Sequence, residues 1–312
     1  MDSVIAFFGE MLVLYVIALI GFLARKTGVL NENANGVLTQ VVLYITLPAL
    51  ILFSLDISFS VTFVKEFIWL ITMSLYILTM SIFIARWMSK RSILAAGQTN
   101  VYEGLIIFGN QGFIGYAVSF IILGEEGIIY LTIFNICYLI LIWTYGIYLF
   151  TTNEAKPNVK AILLNPGILS TLLGLFVFVL PISFPEMITD ALEDVGKMTI
   201  PLSMIIIGSL IANIKFTAYY QALKNRYLWN AVLVRLLMIP LLLLPFMALS
   251  VPFTLLFIAV LVSGMPAAPT ISLYAQKYGA DTSFASLGVV LSTILCLFTI
   301  PILYWVVIWL YA

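Results

Sequence analysis

One short stretch of this sequence places two amides between glycines, inside an otherwise apolar run. The stretch reads GNQGFIG and contains Asn110, Gln111 and Gly112. The amides offer hydrogen-bond donors and acceptors, and the glycines permit unusual backbone angles. This combination predicts a break in a helix, with polar groups available to contact a substrate or an ion.

A second stretch, SGMPAAPT, interrupts another apolar run much later in the chain. Pro266 and Pro269 each remove a backbone donor and clash with the preceding turn, and Ala267 is small enough for another backbone to approach. A helix broken in mid-membrane frees polar groups that lipid cannot satisfy, so such a break is tolerated only against protein or water. The two stretches together therefore predict a lined cavity, although small residues and amides also serve helix packing.

A few polar or ionisable residues lie inside apolar runs, where a charge costs about 2.5 to 3.5 kcal/mol at the bilayer centre on insertion scales. Glu103 precedes the first break and is a candidate protonatable coupling group. Arg235 is expected to pair with Glu103 or to reach the interface, in a structural role. Asn135 either bonds between helices or lines the cavity, and Pro48 and Pro201 are expected to hinge or kink helices near the site.

Composition defines the class of protein. Of 312 residues 63% are hydrophobic and 9% are charged, whereas soluble domains carry about a quarter charged residues. The formal net charge is zero and no basic stripe is present, so nucleic acid is not an expected partner. The chain has no histidine and two cysteines, Cys137 and Cys296, with no second ligand type at metal spacing. We expect an integral protein of the lipid bilayer with no metal, no cofactor and no enzymatic activity.

Spans of about 20 apolar residues are needed to cross a bilayer, and charge, glycine and proline divide the chain into ten such units. No soluble domain fits between them. The predicted spans are Val4 to Ala24, Val37 to Leu55, Phe67 to Met88, Gln98 to Leu123, Gly127 to Phe150, Ile162 to Leu180, Val195 to Ile214, Leu228 to Leu249, Phe253 to Tyr274 and Ser283 to Tyr311.

The spans form two similar sets of five, residues 1–155 and 156–312, displaced by roughly 154 residues. Pro48 in the second span matches Pro201 in the seventh, and the break at Asn110 in the fourth span matches that at Pro266 in the ninth. Because five is odd, the second set enters the membrane from the opposite side. This predicts an inverted repeat, although chance alignment of proline and glycine is the alternative.

Basic residues predict the orientation, because cytoplasmic loops retain lysine and arginine. Eleven of the fourteen fall on one side: Arg25, Lys26, Arg86, Lys90, Arg91, Lys156, Lys160, Lys215, Lys224, Arg226 and Lys277. The opposite loops hold Lys65 and Lys197 and are otherwise acidic. We therefore expect a multi-pass protein of the cell membrane with both termini outside the cytoplasm.

The sequences FGNQGFIGYA, SGMPAAPTISLYAQKYGAD and SLGVVLSTILCLFTIPIL, with LPALIL near the start, resemble the auxin efflux carrier family of permeases, particularly its bacterial members. The resemblance covers the whole chain. It implies an all-α fold of ten helices in inverted repeats, shared with bile-acid sodium symporters and sodium/proton antiporters. It also implies that helices 4 and 9 break at a crossover, and that the cargo is an organic anion such as malate or an auxin.

Carried onto this chain, the resemblance assigns the crossover to Asn110, Gln111 and Gly112 in the first half and to Met265, Pro266, Ala267 and Pro269 in the second. Ala117 stands where proline is expected after the first break. Dimerisation is implied by the resemblance alone.

The hypothesis from the sequence is a secondary carrier that exposes an anion alternately to either side, by an elevator or rocking motion. A dedicated sodium site needs more oxygen ligands than the sequence places near the break. Proton coupling through Glu103, exchange and uniport stay open. The alternatives are a sodium-coupled symporter of bile-acid type, a non-transporting membrane sensor and, most remotely, an intramembrane enzyme.

Overall fold

The fold is known from a computed structural model that describes residues 2–56, 61–95, 97–151, 164–180, 183–212 and 224–311. Helices make up these residues, and no β-strand longer than a single bridge occurs among them. In the first half they are α1 (Asp2–Lys26), α2 (Glu32–Val41), α3 (Leu47–Leu55), α4 (Val61–Lys90), α5 (Gln98–Ile107), α6 (Tyr116–Trp143) and α7 (Tyr145–Phe150). In the second half they are α8 (Pro166–Val179), α9 (Glu186–Lys197), α10 (Thr199–Ala212), α11 (Arg226–Leu233), α12 (Ile239–Leu241), α13 (Phe253–Ser263), α14 (Thr270–Lys277) and α15 (Thr282–Tyr311).

Three π-helical turns join some of these segments. They comprise Val42–Thr46 between α2 and α3, Gln111–Gly115 before α6, and Val234–Met238 between α11 and α12. A 3-10 segment, Leu244–Leu249, follows α12. Inside α6, Gly124 has φ 60° and ψ −136°, which breaks the helix between the fourth and fifth predicted spans.

Length and composition allow six helical stretches of the described chain to cross a membrane. These are Glu32–Leu55, Phe63–Lys90, Gln111–Phe150, Glu186–Ala212, Arg226–Leu249 and Thr282–Tyr311. Two shorter apolar helices, Pro166–Val179 and Phe253–Ser263, accompany them. The protein is thus an all-helical polytopic membrane protein. The predicted start of the sixth span at Ile162 and end of the seventh at Ile214 lie outside the described residues, as do Lys156, Lys160 and Lys215.

The chain folds into two compact units, and each combines segments from both sequence halves. The first unit comprises Met1–Ile68, Gly112–Ile136 and Val159–Ile214. In it α1 packs along α10, and α3 packs against α8 and α9. A Cβ on Gly21 would overlap the carbonyl of Ile205, and one on Gly208 would overlap that of Ala18. Small residues at these points let two backbones approach closely, which is a common way to pack helices in a membrane.

The second unit comprises Trp69–Gln111, Cys137–Asn158 and Lys215–Ala312. Its centre is α5, which contacts α7, α11, α14 and α15. Every residue from Val101 to Gln111 is buried, and so is every residue from Leu255 to Ala268 in and after α13. The sequence of α13 is apolar on nearly all sides, which is typical of a buried helix. The two short helices α5 and α13 therefore form the core of this unit, and both end at the site described next.

Candidate functional site

The first interruption follows α5. That helix ends at Ile107, and Phe108 adopts an extended conformation with φ −101° and ψ 113°. The Phe108 amide still donates to the Gly104 carbonyl over 3.0 Å, which closes the last helical turn. A π-helical turn then begins at Gln111. Gly109 and Asn110 are thus a short, non-helical link inside the buried core.

The second interruption follows α13. The amides of Gly264 and Met265 donate back into the helix, to the carbonyls of Val260 at 3.1 Å and Val262 at 3.2 Å. Pro266 and Pro269 have no N–H to continue this pattern, and helix resumes only at Thr270. The chain therefore runs without helical hydrogen bonds between two half-helices.

The two links pair with each other as an antiparallel bridge centred on Gly109 and Ala267. The Asn110 amide donates to the Pro266 carbonyl over 2.6 Å, and the Ala268 amide donates to the Phe108 carbonyl over 2.9 Å. We call residues 108–110 and 265–268 the crossover strands. Their mutual bonds satisfy backbone groups that lipid could not satisfy.

A serine supplies a further partner. The Ala267 amide donates to the hydroxyl oxygen of Ser292 over 3.0 Å, and that hydroxyl donates to the Val289 carbonyl over 2.8 Å. Ser292 is on α15 and is completely buried. The second crossover strand is therefore bonded both to the first crossover strand and to Ser292 of α15.

Arg235 is the charged side chain at the crossover strands. It lies in the π-helical turn after α11 and is 2% exposed. Its Nε donates to the Met265 carbonyl over 2.9 Å, and its Nη1 donates to the carbonyls of Ile107 at 3.0 Å and Ile106 at 3.4 Å. The guanidinium thus binds the last carbonyls of α5 and the carbonyl that follows α13.

This position corrects the expectation for Arg235. It neither pairs with Glu103 nor reaches the interface, because its partners are backbone carbonyls in the buried core. A cation near a helix C-terminus is stabilised by the partial negative charge of the unpaired carbonyls, by typically about 0.3–1 kcal/mol and up to about 2 kcal/mol where partly buried. Two such ends together offset part of the cost of burying the charge.

Gly109 and Tyr138 complete the surroundings of the guanidinium. A Cβ on Gly109 would overlap Nη2 of Arg235 and lie 2.7 Å from its Cζ, so glycine is required there for the arginine to fit. The Tyr138 hydroxyl donates to the Gly109 carbonyl over 2.6 Å. Tyr138 of α6 thus bonds to the first crossover strand, and Arg235 of the π-helical turn after α11 bonds to the end of α5 directly before it.

Most of the predicted substrate-binding residues are buried at this place. Asn110 and Gln111 are each 3% exposed, Met265 is fully buried and Ala267 is 1% exposed. The amide oxygen of Gln111 has no hydrogen-bond partner among the described residues. An unsatisfied buried amide is costly, so this oxygen is a ready acceptor for a ligand donor.

The comparisons with known proteins decide the family. The model of the family described as "Membrane transport protein" matches residues 6–162 and 158–304. The chain belongs to this family. An uncharacterized transporter of Methanothermobacter thermautotrophicus is 27% identical over 297 residues, which cover 92% of this chain and 94% of that protein. An uncharacterized transporter of Methanocaldococcus jannaschii is 26% identical over 231 residues, covering 71% of this chain and 72% of that protein.

Membership confirms the resemblance to auxin efflux carrier permeases and the expectation of a transporter instead of an enzyme. Among the described residues of the transporter, no group of three or more His, Cys, Asp or Glu side chains is arranged to hold a metal ion. The arrangement at the crossover strands offers amides, backbone ends and one cation. These groups can bind and release a polar solute, and none of them is placed as a nucleophile.

Glu103 lies on α5, one turn before the carbonyls that hold Arg235, and is 9% exposed. It interacts electrostatically with the Tyr145 hydroxyl, which accepts a hydrogen bond from Nε of Arg86 over 3.1 Å. The transporter therefore has a buried carboxyl group close to the crossover strands but not in contact with the guanidinium.

Pro48 and Pro201 each lie inside a helical stretch long enough to cross a membrane, Glu32–Leu55 and Glu186–Ala212. Within these stretches each proline is in the first turn of a segment, α3 after the π-helical turn Val42–Thr46 and α10 after Met198. Their role as hinges stays a prediction. Proline is favoured at the start of a helix because its missing N–H is not needed there. Just before them, the Thr199 hydroxyl donates to the Thr46 hydroxyl over 2.9 Å, so the two Thr-x-Pro sequences meet in the core of the first unit.

The two remaining candidates belong to the first unit. Gly112 is partly exposed, and a Cβ there would meet no atom within 4 Å. Asn135, on α6, is 3% exposed and is close to the Tyr116 hydroxyl, which also contacts the Thr132 hydroxyl at 3.2 Å. The amide oxygen of Asn135 has no hydrogen-bond partner among the described residues.

Sequence reasoning missed two residues of the site, Tyr138 and Ser292, and gave Arg235 the wrong partners. Tyr138 and Ser292 are ordinary members of apolar spans in sequence, and their bonds to the crossover strands follow from tertiary packing alone. Arg235 carried a signal, since a lone arginine deep in an apolar run is suspected of function. Its partners were not predictable, because backbone carbonyls leave no mark in a sequence.

Proposed function

We propose that the protein is a secondary carrier for a small organic anion, a carboxylate such as malate or an auxin-like acid, bound at the crossover strands. The observation that carries this is that two helical segments begin directly after the crossover strands, at Gln111 and at Thr270, and helix N-termini attract anions. The buried amide of Gln111 lies at the first of these ends, and no carboxylate among the described residues is paired with the nearby Arg235.

The carrier alternates access to the two sides of the membrane by an elevator-type motion of ten helices in two inverted repeats, residues 1–155 and 156–312. Two pairs of contacts support the repeat. Thr46 and Thr199 precede matching prolines and bond to each other, and Gly109 and Ala267 pair at matching breaks. Equivalent residues are expected to meet in this way where a two-fold axis passes between two copies of a unit.

In this proposal Met265, Pro266, Ala267 and Pro269 shape the site from the second half, and Gly112 gives backbone freedom in the first. Pro48 and Pro201 are hinge candidates, and Asn135 is a further polar candidate, all three in the first unit. Glu103 is the candidate for proton coupling, because it is a buried carboxyl group one turn from the crossover strands.

The carrier lies in the cell membrane with both termini outside, and it forms a homodimer.

The test is radiolabelled counterflow in proteoliposomes with malate, other dicarboxylates and indole-3-acetate, at fixed proton and sodium gradients. Asn110→Ala is expected to abolish counterflow of the accepted anion. Asn35→Ala is the matched control, because Asn35 is also a buried asparagine but lies on α2 in the first unit, whereas the crossover strands belong to the second.

Intact counterflow in Asn110→Ala contradicts the site. Flux that requires sodium favours the alternative, a symporter of bile-acid type, and flux driven by a proton gradient points to Glu103. If no anion is carried by the wild type, the substrate class is wrong and a non-transporting membrane sensor gains weight.

A further inference from the structure

The charge balance of the crossover strands depends on which helix ends face Arg235. Two half-helices, α5 and α13, finish at the strands. A helix C-terminus carries about −0.5 of an elementary charge, so two of them carry about −1. The guanidinium carries +1 and donates to carbonyls at both ends.

No described carboxylate forms an ion pair with Arg235, so these backbone carbonyls are its counter-charge. Its Nη2 is buried and has no hydrogen-bond partner among the described residues. Carbonyl oxygens converging on one charge are also what a bound metal cation such as sodium requires. The guanidinium therefore occupies a place where several carbonyl oxygens would otherwise be left facing a void.

We propose that Arg235 is a tethered cation of the crossover strands: it neutralises the C-terminal ends of α5 and α13, so that the carrier binds its anion without a metal cation at this place. The helical segments beginning at Gln111 and Thr270 then keep their partial positive charge for the anion. This inference rests on the proposed function for the anion, but the charge role of Arg235 can be measured without any substrate.

Gly109 provides independent support. It leaves no room for a side chain beside Nη2, so the chain is built around the guanidinium at this position. Arg235 acts through the helix ends and is a positioning residue in this proposal. The experiments must therefore separate its charge from its bulk.

The first experiment measures thermal stability of purified protein in detergent, with methylguanidinium chloride, sodium chloride or choline chloride at equal millimolar concentration. Arg235→Ala opens a space lined by the Met265 and Ile107 carbonyls. We expect a lower Tm that methylguanidinium restores by at least half, while choline, which cannot donate hydrogen bonds in this way, does not. Arg226→Ala is the control, since Arg226 is exposed at the start of α11, and methylguanidinium should not raise its Tm.

Equal responses of Arg235→Ala to methylguanidinium and choline overturn the proposal, as does a Tm equal to that of the wild type. Recovery with sodium as well as methylguanidinium supports it, because carbonyl oxygens accept either cation. This stability experiment gives the same answer whether or not the protein transports an anion.

The second experiment compares Arg235→Lys with Arg235→Gln in counterflow of the accepted anion. Lysine keeps the charge, whereas glutamine is shorter and keeps hydrogen-bond donors without the charge. We expect Arg235→Lys to retain at least tenfold more flux than Arg235→Gln, and wild-type flux to stay within twofold when choline replaces sodium.

Equal flux in the two variants shows that the charge is not needed and overturns the inference, while the proposed function stands. Absence of flux in the wild type contradicts the proposed function instead, and the Tm series then decides the role of Arg235. If Arg235→Ala does not fold, the lysine and glutamine variants carry the stability test in its place.

Discussion

The two interruptions that meet at the crossover strands are built by different means. The second is made by its own residues, since Pro266 and Pro269 cannot continue the helix whatever surrounds them. The first has no proline: Phe108 is extended, and the carbonyls of Ile107 and Gly109, which a continuous helix would use internally, accept hydrogen bonds from Arg235 and Tyr138. One break is thus local in origin, and the other depends on distant contacts.

The largest expected effect comes from the dependence of the first break on Arg235. In Gly109→Ala the new Cβ overlaps the guanidinium, and either the arginine or the strand must move. Forcing atoms into a filled core costs about 1–3 kcal/mol, occasionally more, and we expect the upper part of this range. The Tm of the purified variant measures the effect.

Gly112→Ala is the steric control for this experiment, because its Cβ would meet no atom within 4 Å. Its Tm is expected to stay close to that of the wild type. Equal losses in the two variants contradict the view that the first break is built around Arg235.

The next prediction tests whether the second break also depends on a contact with another helix. Ser292→Ala removes the acceptor of the Ala267 amide, and leaving a buried donor unsatisfied costs about 1–3 kcal/mol. Ser263→Ala is its control, since the Ser263 hydroxyl is buried with no partner among the described residues. That variant is expected to be neutral or more stable.

A loss in Ser263→Ala that equals the loss in Ser292→Ala argues against the serine bond as the reason. No loss in Ser292→Ala means that prolines alone maintain the second break, which sharpens the contrast with the first.

The same contrast explains how much of the site could be predicted from the sequence. The second break was predictable, because two prolines within four residues leave few alternatives. The position of the first followed from the glycines and from its match to the second. Apolar run lengths gave the membrane class. The predicted boundary between the fourth span, which ends at Leu123, and the fifth, which begins at Gly127, contains Gly124, whose φ is positive.

The other features of the site depend on tertiary contacts and could not be predicted from the sequence. The π-helical turn ahead of Pro48 and the helix junction ahead of Pro201 were not predictable, because neither can be recognised from hydropathy. The predicted partner of Arg235 was wrong. A carboxylate was the natural candidate in the sequence, whereas the buried chain offered the carbonyls of Ile107 and Met265.

A smaller effect is expected at Tyr138, whose hydroxyl supports the first break from α6. Tyr138→Phe removes the donor to the Gly109 carbonyl and is expected to lower stability by about 0.5–1.5 kcal/mol, the usual net value of one hydrogen bond. Tyr44→Phe is the control, because Tyr44 is 63% exposed. A Tm unchanged by Tyr138→Phe but lowered by Gly109→Ala would leave Arg235 as the group on which the first break depends.

The smallest expected effect concerns a second contact between matching positions of the two sequence halves, the bond between Thr46 and Thr199. Interhelical hydrogen bonds in membranes contribute about 0.6 kcal/mol on average by double-mutant cycles. Thr46→Val, Thr199→Val and the double variant form such a cycle, in which valine keeps the shape and removes the hydroxyl. We expect the two single changes to be similar and the double change to cost less than their sum, since both lose the same bond. Strictly additive Tm shifts would show that the two threonines do not interact, and would leave the pairing of Gly109 with Ala267 as the remaining contact that supports an inverted repeat.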